Sequence, residues 1–396
     1  MVPDVLPSAI LERIVSLRRE LHRHPELSGE EAWTAQRIGR ELDDLSIEHR
    51  IGVGGHGMVA TIPGIEEAPT VALRADIDGL PITERTGLPF ASEIDGVMHA
   101  CGHDGHASML VGAGALLLAG EPPPVPVRLL FQPAEERGSG ARAMIADGAL
   151  EGVGAIFAGH VDRHHDAGTL VVTDGPVNAA ADRFVVRFSG RGGHGARPHE
   201  ALDAVVVGSL FVTSIQTIVS REVDPAHPSV VSIGKFHAGS AGNVIAGAAV
   251  LEGTIRSQEV AVRDHLCEAV ERIANAVAQL HDASVDVHIS RGIPPVVNQP
   301  KPTALAREAA AGVVGADRVE VLRTVNMGAE DFGVYLESVP GCYIRYGGRI
   351  SGREGFPAHS ARFDFDERAL GTGIAWLAAV ARVAGKHLAG GAVLDG

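Results

Sequence analysis

The chain is poor in the features that mark secreted, disulfide-stabilised or membrane proteins. Its three cysteines, Cys101, Cys267 and Cys342, are too few for a disulfide framework, so we expect a reducing compartment, the cytoplasm. The N-terminal residues lack an apolar core followed by a small-residue cleavage site, so no signal peptide is expected. The most apolar stretch, 109–120, is shorter than the roughly 20 residues that a membrane-spanning helix needs.

Positive charge is also scarce. The chain has 34 Lys and Arg against 49 Asp and Glu, a formal net charge of −15. Nucleic acids and anionic membranes are bound mainly through Lys and Arg, so we expect neither as a partner. The sequence contains no phosphate-binding G-x-x-x-x-G-K-[ST] motif and no G-x-S-x-G elbow of a serine hydrolase. Residues 52–57 and 190–195 match G-x-G-x-x-G, but the first leads into a strand, and the second lacks the acidic residue that a dinucleotide site has at the end of the following strand.

The pattern of apolar residues predicts an α/β protein with an insertion. A chain of 396 residues exceeds what one hydrophobic core usually supports, so two domains are expected. Strand-like runs alternate with helical stretches in the first part, which predicts a mixed, largely parallel sheet flanked by helices. Between them, the order β-α-β-β-α-β predicts a ferredoxin-like α+β domain. We therefore predict one domain from 1–179 with 293–396, and an inserted domain at 180–292. Ser28 and Glu31 fit a capping box at the start of the second helix.

The segment 99–106, HACGHDGH, places one thiol and three imidazoles close together. A polar loop that leads into a helix is the simplest interpretation of such a segment. Cys101 and His103 lie two positions apart, however, beside glycines that let the backbone bend. This arrangement is typical of metal ligands.

Two adjacent carboxylates, Glu135 and Glu136, follow the apolar run VRLLF. They could lie in a solvated loop, but the carboxyl ends of parallel strands line the ligand crevice of α/β sheets. Neighbouring side chains on an extended segment point in different directions, so one carboxylate could bind metal while the other moves protons. His160 ends another predicted strand, and His359 lies just before the last helix. Together these residues predict a metal site assembled from several strand ends.

The order of the motifs resembles a known family. From about Leu17 to Ala384 the chain contains, in order, ALRADIDGLP, MHACGHDGH, FQPAEE, the GH of AGHV, GRGGHGARPH, NVIAG, GTIR, MGAEDF and HSARFDFDE. This series resembles the amidohydrolase branch of the metallopeptidases that include aminoacylase and carboxypeptidase G. Hippurate hydrolase, N-acyl-L-amino-acid amidohydrolase and the auxin-conjugate hydrolases belong to that branch.

The resemblance implies two divalent metal ions per subunit. Five ligands are implied: Cys101 as a bridge, His103 and His160 on one ion, and Glu136 and His359 on the other. Glu135 would be the general base, and Asp78 would orient the site. Thiolate, imidazole and carboxylate together suit Zn, Mn, Co or Ni, so the identity of the metal stays open.

The resemblance also assigns a role to the inserted domain, as the lid and dimerisation domain of a homodimer. His194 would reach the active site of the partner subunit and polarise the scissile carbonyl. Three residues match substrate-contacting positions: Asn243, Arg256 and Glu330. The chain departs from the family at three places, one of which is NVIA in place of the commoner NVIP. Asp76 stands where related peptidases have a metal-binding histidine and is not counted as a ligand, and the charged run 162–166 replaces the usual prolines.

The expected activity is hydrolysis of the amide bond in N-acyl amino acids such as hippurate. A carboxypeptidase or dipeptidase acting on small peptides with the same chemistry is the alternative. An inactive binding relative is a further alternative, but it predicts the loss of a ligand or of the base, and all are present. A zinc deaminase is excluded because the chain lacks the required P-C-x-x-C motif.

Overall fold

A computed structural model defines the architecture and describes residues 6–324, 326–352, 355–391 and 394. These residues form nine α-helices: α1 Ser8–Arg23, α2 Ala32–Asp44, α3 His103–Ala119, α4 Gly140–Ala146, α5 Ala204–Thr217, α6 Val260–Leu280, α7 Pro300–Val314, α8 Phe332–Leu336 and α9 Arg368–Ala389. They also form sixteen strands: β1 Glu48–Val53, β2 Gly57–Ile62, β3 Thr70–Asp76, β4 Val127–Gln132, β5 Val153–Asp166, β6 Leu170–Val171, β7 Gly175–Asn178, β8 Ala180–Ser189, β9 Gly193–His194, β10 Ser229–Ala238, β11 Val244–Ile245, β12 Ala248–Ser257, β13 Ser284–Ile293, β14 Val296–Asn298, β15 Val319–Glu320 and β16 Gly341–Arg349.

The first compact unit comprises the described residues of 6–175, 297–324 and 331–394. Its sheet has eight strands in the order β1-β2-β4-β3-β5-β16-β6-β15. The central strands β4, β3, β5 and β16 are parallel, and β2 joins β4 antiparallel. All seven residues of β3 are buried, as expected for a parallel strand covered on both faces. The predicted mixed, largely parallel sheet flanked by helices is confirmed.

Helix α3 is the buried centre of the helical layer in this unit. It packs against α1, α9 and β3, and nearly all of its residues are buried. This burial accounts for its apolar sequence, since a helix surrounded by protein has no polar face. The N-terminus of α3 carries His103, so the rigid core directly supports a predicted ligand.

The second compact unit comprises residues 176–296 and 326–330. Its sheet has the order β10-β12-β8-β13, and all neighbouring strands are antiparallel. Helices α5 and α6 pack on this sheet and form a separate apolar core with it. Alternate residues of β8 are buried, as expected for a sheet with one face on helices and one in solvent. The predicted ferredoxin-like arrangement is confirmed.

The extent of the second unit differs from the predicted insertion 180–292. Residues 326–330 belong to this unit, although the sequence placed them in the metal-binding domain. Several hydrogen bonds hold the segment, among them those from Ala179 N–H to Gly328 O at 3.0 Å and from Arg256 to Met327 O at 3.2 Å. Contacts over such a sequence distance leave no local pattern.

Two local predictions are wrong. The capping box does not form, because α2 begins after Glu31 without a side-chain cap. Ser28 Oγ instead donates to the buried Asp78 Oδ2 at 2.7 Å, and Glu31 Oε1 accepts the Ala134 N–H at 2.9 Å. His160 also does not end its strand, because β5 continues to Asp166 through pairing with β16.

One helical stretch among the described residues, Ala204–Glu222, is long and apolar enough to cross a membrane by length and composition alone. A third of it, 33%, is buried, and its inner residues Val207, Phe211 and Ile215 belong to the core of the second unit. A single stretch of this kind is weak evidence for a membrane span, since core helices of globular domains share the composition.

Candidate metal centre

Donor atoms of the predicted ligands converge in the first unit. Cys101, His103 and His160 form one group whose ligand atoms all lie within 4.8 Å of one another. Cys101, Glu136 and His359 form a second such group, also within 4.8 Å. Cys101 belongs to both groups, which is the geometry that a bridging ligand requires.

The turn that carries Cys101 and His103 depends on the glycine between them. Gly102 has a φ of +94°, in the left-handed region that favours glycine. A Cβ atom at this position would lie 2.5 Å from Val161 Cγ2. Because both the conformation and the space exclude a side chain, Gly102 allows the turn to pack closely against β5. Cys101 Sγ then lies 3.2 Å from His160 Nε2.

Asp78 orients the His103 ring. His103 Nδ1 lies 2.9 Å from Asp78 O and 3.1 Å from Asp78 Oδ1. Asp78 Oδ2 accepts hydrogen bonds from Ser28 Oγ at 2.7 Å and from the Glu136 N–H at 3.0 Å. Through these bonds one buried carboxylate connects three separate segments. His103 Nε2 is buried and has no hydrogen-bond partner among the described residues, as expected of a ligand nitrogen that faces an ion.

His160 is prepared as a neutral ligand. Its Nδ1 donates to Val161 O at 2.7 Å, which leaves Nε2 facing Cys101. Burial, together with the charge of Arg345, holds the pKa of His160 well below its usual range. Imidazole binds metals in its neutral form, so this environment favours the form that coordinates.

The Cys101 thiol is protonated when no ion is bound. Burial raises the pKa of Cys101 to about 12, although the charge of His103 opposes the increase. Metal coordination requires the thiolate, so binding must displace this proton.

His359 reaches the site through an uncommon backbone conformation. Its φ is +66°, and its N–H donates to Ala100 O at 2.8 Å. Its Nε2 lies 3.3 Å from Glu136 Oε1, and this interaction raises the pKa of His359. Ala134, just before the glutamate pair, also has a positive φ of +51°. Such conformations in residues other than glycine cluster at functional sites.

The two glutamates point to different neighbours. Glu136 faces His359, whereas Glu135 Oε2 lies 4.0 Å from His103 Nε2. Glu135 is buried, with 8% of its surface exposed. The two carboxylates thus have different neighbours at contact distance, although an oxygen of each also lies within 4.8 Å of the other and of a His103 ring nitrogen.

The donor set fits divalent metal ions. It consists of a thiol, three imidazoles and a carboxylate, which are the ligand types of zinc and similar borderline metals. Within the part of the chain that the structure describes, the buried His103 Nε2 has no hydrogen bond, so an ion would give it a partner, and Asp78 already holds that ring in the orientation of a ligand.

Sequence reasoning missed a buried network beside this site. Asp76 Oδ1 lies 2.6 Å from His106 Nδ1, and Asp76 Oδ2 accepts from Arg74 at 2.6 Å. Burial raises the pKa of Asp76, but the charges of His103 and Arg74 and the hydrogen bond from His106 outweigh it and hold the pKa well below its usual range. Although Asp76, His103 and His106 lie within 4.8 Å of one another, both Asp76 oxygens are engaged. The sequence showed His106 within HACGHDGH but gave it no role.

The remaining predicted residues lie in the second unit. His194 is exposed on β9, which pairs with β11 so that His194 lies opposite Val244. The Gly195 N–H donates to Asn243 O at 2.8 Å, so the loops of His194 and Asn243 are joined. Arg256 lies on β12, and Glu330 belongs to the 326–330 segment of the same unit.

The unusual charged run forms the extension of β5. His165 Nδ1 lies 2.7 Å from Glu320 Oε2, Arg163 donates to Gly355 O at 3.0 Å, and Asp166 forms an ion pair with Arg349 at 3.2 Å. Within the same run, Asp162 Oδ1 accepts a hydrogen bond from the His164 N–H at 2.8 Å. The run is therefore ordered strand in the first unit.

Residues 72–383 match the family model of Peptidase family M20/M25/M40. The YhaA protein of Bacillus subtilis (strain 168), named an amidohydrolase, is 41% identical over 93% of this chain and 94% of its own length. The N-acetyl-L-cysteine deacetylase of the same organism is 38% identical, covering 92% of this chain and 86% of its own. Thermostable carboxypeptidase 1 of Saccharolobus solfataricus is 36% identical, covering 91% and 92%.

A solved structure of an M20 family protein is also similar to this chain. The YXEP protein of Bacillus subtilis, described as a dinuclear metal binding peptidase from the M20 family, is 34% identical to this chain. The superposition covers 96% of this chain and 99% of that protein, with a TM-score of 0.85. The chain therefore belongs to peptidase family M20/M25/M40 and is a metal-dependent hydrolase of amide bonds.

Proposed function

We propose that this chain hydrolyses the amide bond of N-acyl amino acids, including hippurate-like substrates. The observation that carries the proposal is that Cys101 belongs to two groups of potential metal ligands at once. The buried Glu135 lies beside them. The similarity to an N-acetyl-L-cysteine deacetylase supports an N-acyl amino acid as the substrate class.

We assign two divalent ions to the two groups. Cys101 would bridge them, with His103 and His160 completing one ion and Glu136 and His359 the other. The similarity to a dinuclear metal binding peptidase supports this count. Zn, Mn, Co and Ni all suit the donor set, and the metal content of the purified protein decides among them.

The residues around the ions would carry the proton chemistry. When bound, the ions supply Lewis acidity and lower the pKa of a coordinated water. Glu135 would take the proton from the attacking water and pass it to the leaving amine nitrogen. Asp78 would hold the His103 ring through its hydrogen bond, so that Nε2 keeps its direction.

The second unit would supply the groups that bind the substrate. His194, from the partner subunit, would donate to the carbonyl oxygen as negative charge develops on it. Asn243, Arg256 and Glu330 would contact the remainder of the substrate. The hydrogen bond that joins the His194 and Asn243 loops supports their assignment to one functional surface.

Two features of the second unit support a homodimer formed through it. Strand β10 lies at an edge of its sheet, and open strand edges readily pair with another chain. The outer face of α5 exposes Val205, Val206 and Leu210, at 41%, 46% and 37%. Exposed apolar side chains of this kind mark interaction surfaces when they are contiguous. We place this dimer in the cytoplasm.

The alternative activity is removal of a residue from a small peptide. The similarity to thermostable carboxypeptidase 1 is the observation that favours it. The same ligands and the same base would serve both reactions, because each cleaves an amide bond, so only the substrate contacts differ.

A substrate panel separates the two activities. The wild-type protein, loaded in turn with Zn, Mn, Co and Ni, is assayed on N-acetyl and N-benzoyl amino acids and on dipeptides. We expect the highest kcat/KM on an N-acyl amino acid, with turnover by Glu135→Ala lower by up to about ten-thousandfold. A higher kcat/KM on dipeptides would favour the alternative, and no hydrolysis of either class with any metal would reject the proposal.

A further inference from the structure

The two segments that carry Cys101, His103 and His160 meet at the backbone of Val161. The Val161 carbonyl accepts a hydrogen bond from His160 Nδ1 at 2.7 Å, and its N–H donates to His106 Nε2 at 2.9 Å. The Val161 side chain fills the space beside Gly102. A shift of Val161 would therefore disturb the His160 ring and the Cys101–His103 turn together.

His106 is fixed by two hydrogen bonds that require one tautomer. Since Nε2 accepts the Val161 N–H, the ring proton lies on Nδ1, which donates to Asp76 Oδ1 at 2.6 Å. The ring is buried, with 2% exposed, and its centroid lies 4.6 Å from that of His160 in an edge-on contact. This packing leaves the ring no room to turn away from Val161.

Asp76 is held in turn by Arg74. Arg74 donates to Asp76 Oδ2 at 2.6 Å, to Gln132 Oε1 at 2.8 Å and to Asp331 Oδ1 at 3.0 Å. Asp76 and Gln132 are register partners at the carboxyl ends of β3 and β4. The network thus connects the rigid centre of the sheet to the backbone behind His160.

We infer that His106 and Asp76 are positioning residues for the metal centre, acting through the backbone of Val161. The inference rests on the proposed ligands Cys101, His103 and His160. Neither residue needs to touch an ion in this role. Both Asp76 oxygens and both His106 ring nitrogens already have hydrogen-bond partners within the protein. A purely structural role for the pair predicts a different result, namely lower stability with unchanged metal affinity.

Two substitutions of His106 separate its two hydrogen bonds. In His106→Asn the amide lies near the former Nδ1, so it can reach Asp76 but not the Val161 N–H. In His106→Gln the amide oxygen can reach the position of Nε2 and accept the Val161 N–H. His99→Asn is the matched control, because His99 is equally buried in the same segment and has no hydrogen-bond partner among the described residues.

Two readouts are taken on the full-length protein. Metal affinity is measured with Zn²⁺ by chelator competition, and exchange of the Val161 amide hydrogen is measured by NMR in the metal-free protein. Loss of a group that positions a ligand typically costs about 10- to 100-fold in metal affinity. We expect that loss in His106→Asn, together with faster Val161 exchange. His106→Gln should recover both, and His99→Asn should change neither.

The controls distinguish the possible failures. His160→Ala tests the proposed ligand itself. If His160→Ala binds Zn²⁺ like wild type, the proposed metal centre is wrong and the inference fails with it. If His160→Ala loses affinity while His106→Asn keeps it, only the positioning inference fails. The positioning inference also fails if a folded His106 variant changes Zn²⁺ affinity without changing Val161 amide exchange, or the reverse. It fails as well if His99→Asn lowers Zn²⁺ affinity as much as His106→Asn does.

Discussion

The two regions that carry predicted functional residues differ in how their side chains are held. At the metal centre, His103 is 1% exposed and Cys101 is 9% exposed, and His103, His160 and Asp78 each have hydrogen bonds that fix their direction. His194 is exposed, and the only hydrogen bond found for its ring is from the Ala196 N–H to Nδ1 at 3.0 Å, within the described residues. Of the five proposed ligands only His359 is exposed, so the protein itself holds most of the ion site, whereas a histidine that acts on substrate can be completed by substrate or by a second subunit.

The largest effect is expected from Glu135→Ala. This change removes the proposed proton carrier but none of the proposed ligands, so turnover should fall by up to about ten-thousandfold, at the upper end for general acid–base catalysis. Metal content, measured by elemental analysis, should remain that of wild type.

Glu136→Ala is the matched comparison for that prediction. It removes a carboxylate that faces His359 at 3.3 Å, so metal should be lost before any other property changes. If Glu135→Ala loses metal and Glu136→Ala retains it, the roles within the pair are reversed.

His194→Ala should have the next largest effect. Removing one donor to a developing oxyanion typically costs about a hundred- to a thousandfold in turnover. Metal content should not change, because His194 lies in the second unit and all proposed ligands lie in the first. Steady-state kinetics with elemental analysis measures both. Loss of metal in His194→Ala would contradict the assignment of metal binding to the first unit and of oxyanion stabilisation to the second.

The partner-subunit role of His194 has its own test. His194→Ala and Glu135→Ala chains, each nearly inactive alone, are mixed under conditions of subunit exchange. A mixed dimer with shared sites contains one site with both residues intact, so activity should return. If activity does not return although subunit exchange has been demonstrated, His194 does not act in the active site of the partner subunit.

The smallest effect concerns stability and pH. The buried Asp104 accepts a hydrogen bond from Arg18 Nε at 2.7 Å and pairs with His22 Nδ1 at 2.9 Å. Burial raises the pKa of Asp104, but the charges of Arg18 and His22 dominate and lower it far below the usual value of 3.8. Because the folded pKa is depressed, the stabilisation is complete above the unfolded pKa and is lost as pH falls toward the folded pKa. Below pH 4, unfolding free energy should therefore fall about 1.4 kcal/mol per pH unit more steeply in wild type than in Asp104→Asn.

Glu252 in the second unit provides the contrast. Lys235 lowers the pKa of Glu252 as well, yet this pair is exposed. Raising the salt concentration from about 0.1 to 1 M shortens the screening length from about 10 to 3 Å. Denaturation in both salts should show that the effect of Glu252→Gln disappears at high salt, whereas that of Asp104→Asn persists. If salt changed the stability effects of Glu252→Gln and Asp104→Asn equally, burial would not explain the difference between the two carboxylates.

The fold was predictable because its signals are local and periodic. Buried runs such as TVALRAD in β3 and alternating runs such as RFVVRFS in β8 match the burial of the strands. The ferredoxin-like unit followed from the order of its elements. The ligand motif was predictable because Cys101, Gly102 and His103 are consecutive, and a turn with a positive φ needs its glycine.

The supporting residues were not predictable because their partners are distant in sequence. Ser28 fitted a helix cap, but the stronger acceptor for its hydroxyl is a buried carboxylate 50 positions away. His106 reaches Val161, 55 positions away, and Arg74 reaches Asp331, 257 positions away. A single sequence contains no local pattern for such contacts, so only the structure shows which polar residues support the ligands.

The central claim is that Cys101 joins two ion sites, and metal stoichiometry tests it most directly. Metal-free wild type, Cys101→Ser and Cys342→Ser are loaded with Zn²⁺, freed of excess metal, and analysed for ions per chain. Cys342 is the control because it is also buried but lies on β16, outside both ligand groups. We predict two ions per chain in wild type and in Cys342→Ser, and a loss from both sites in Cys101→Ser. Full occupancy in Cys101→Ser would contradict the account.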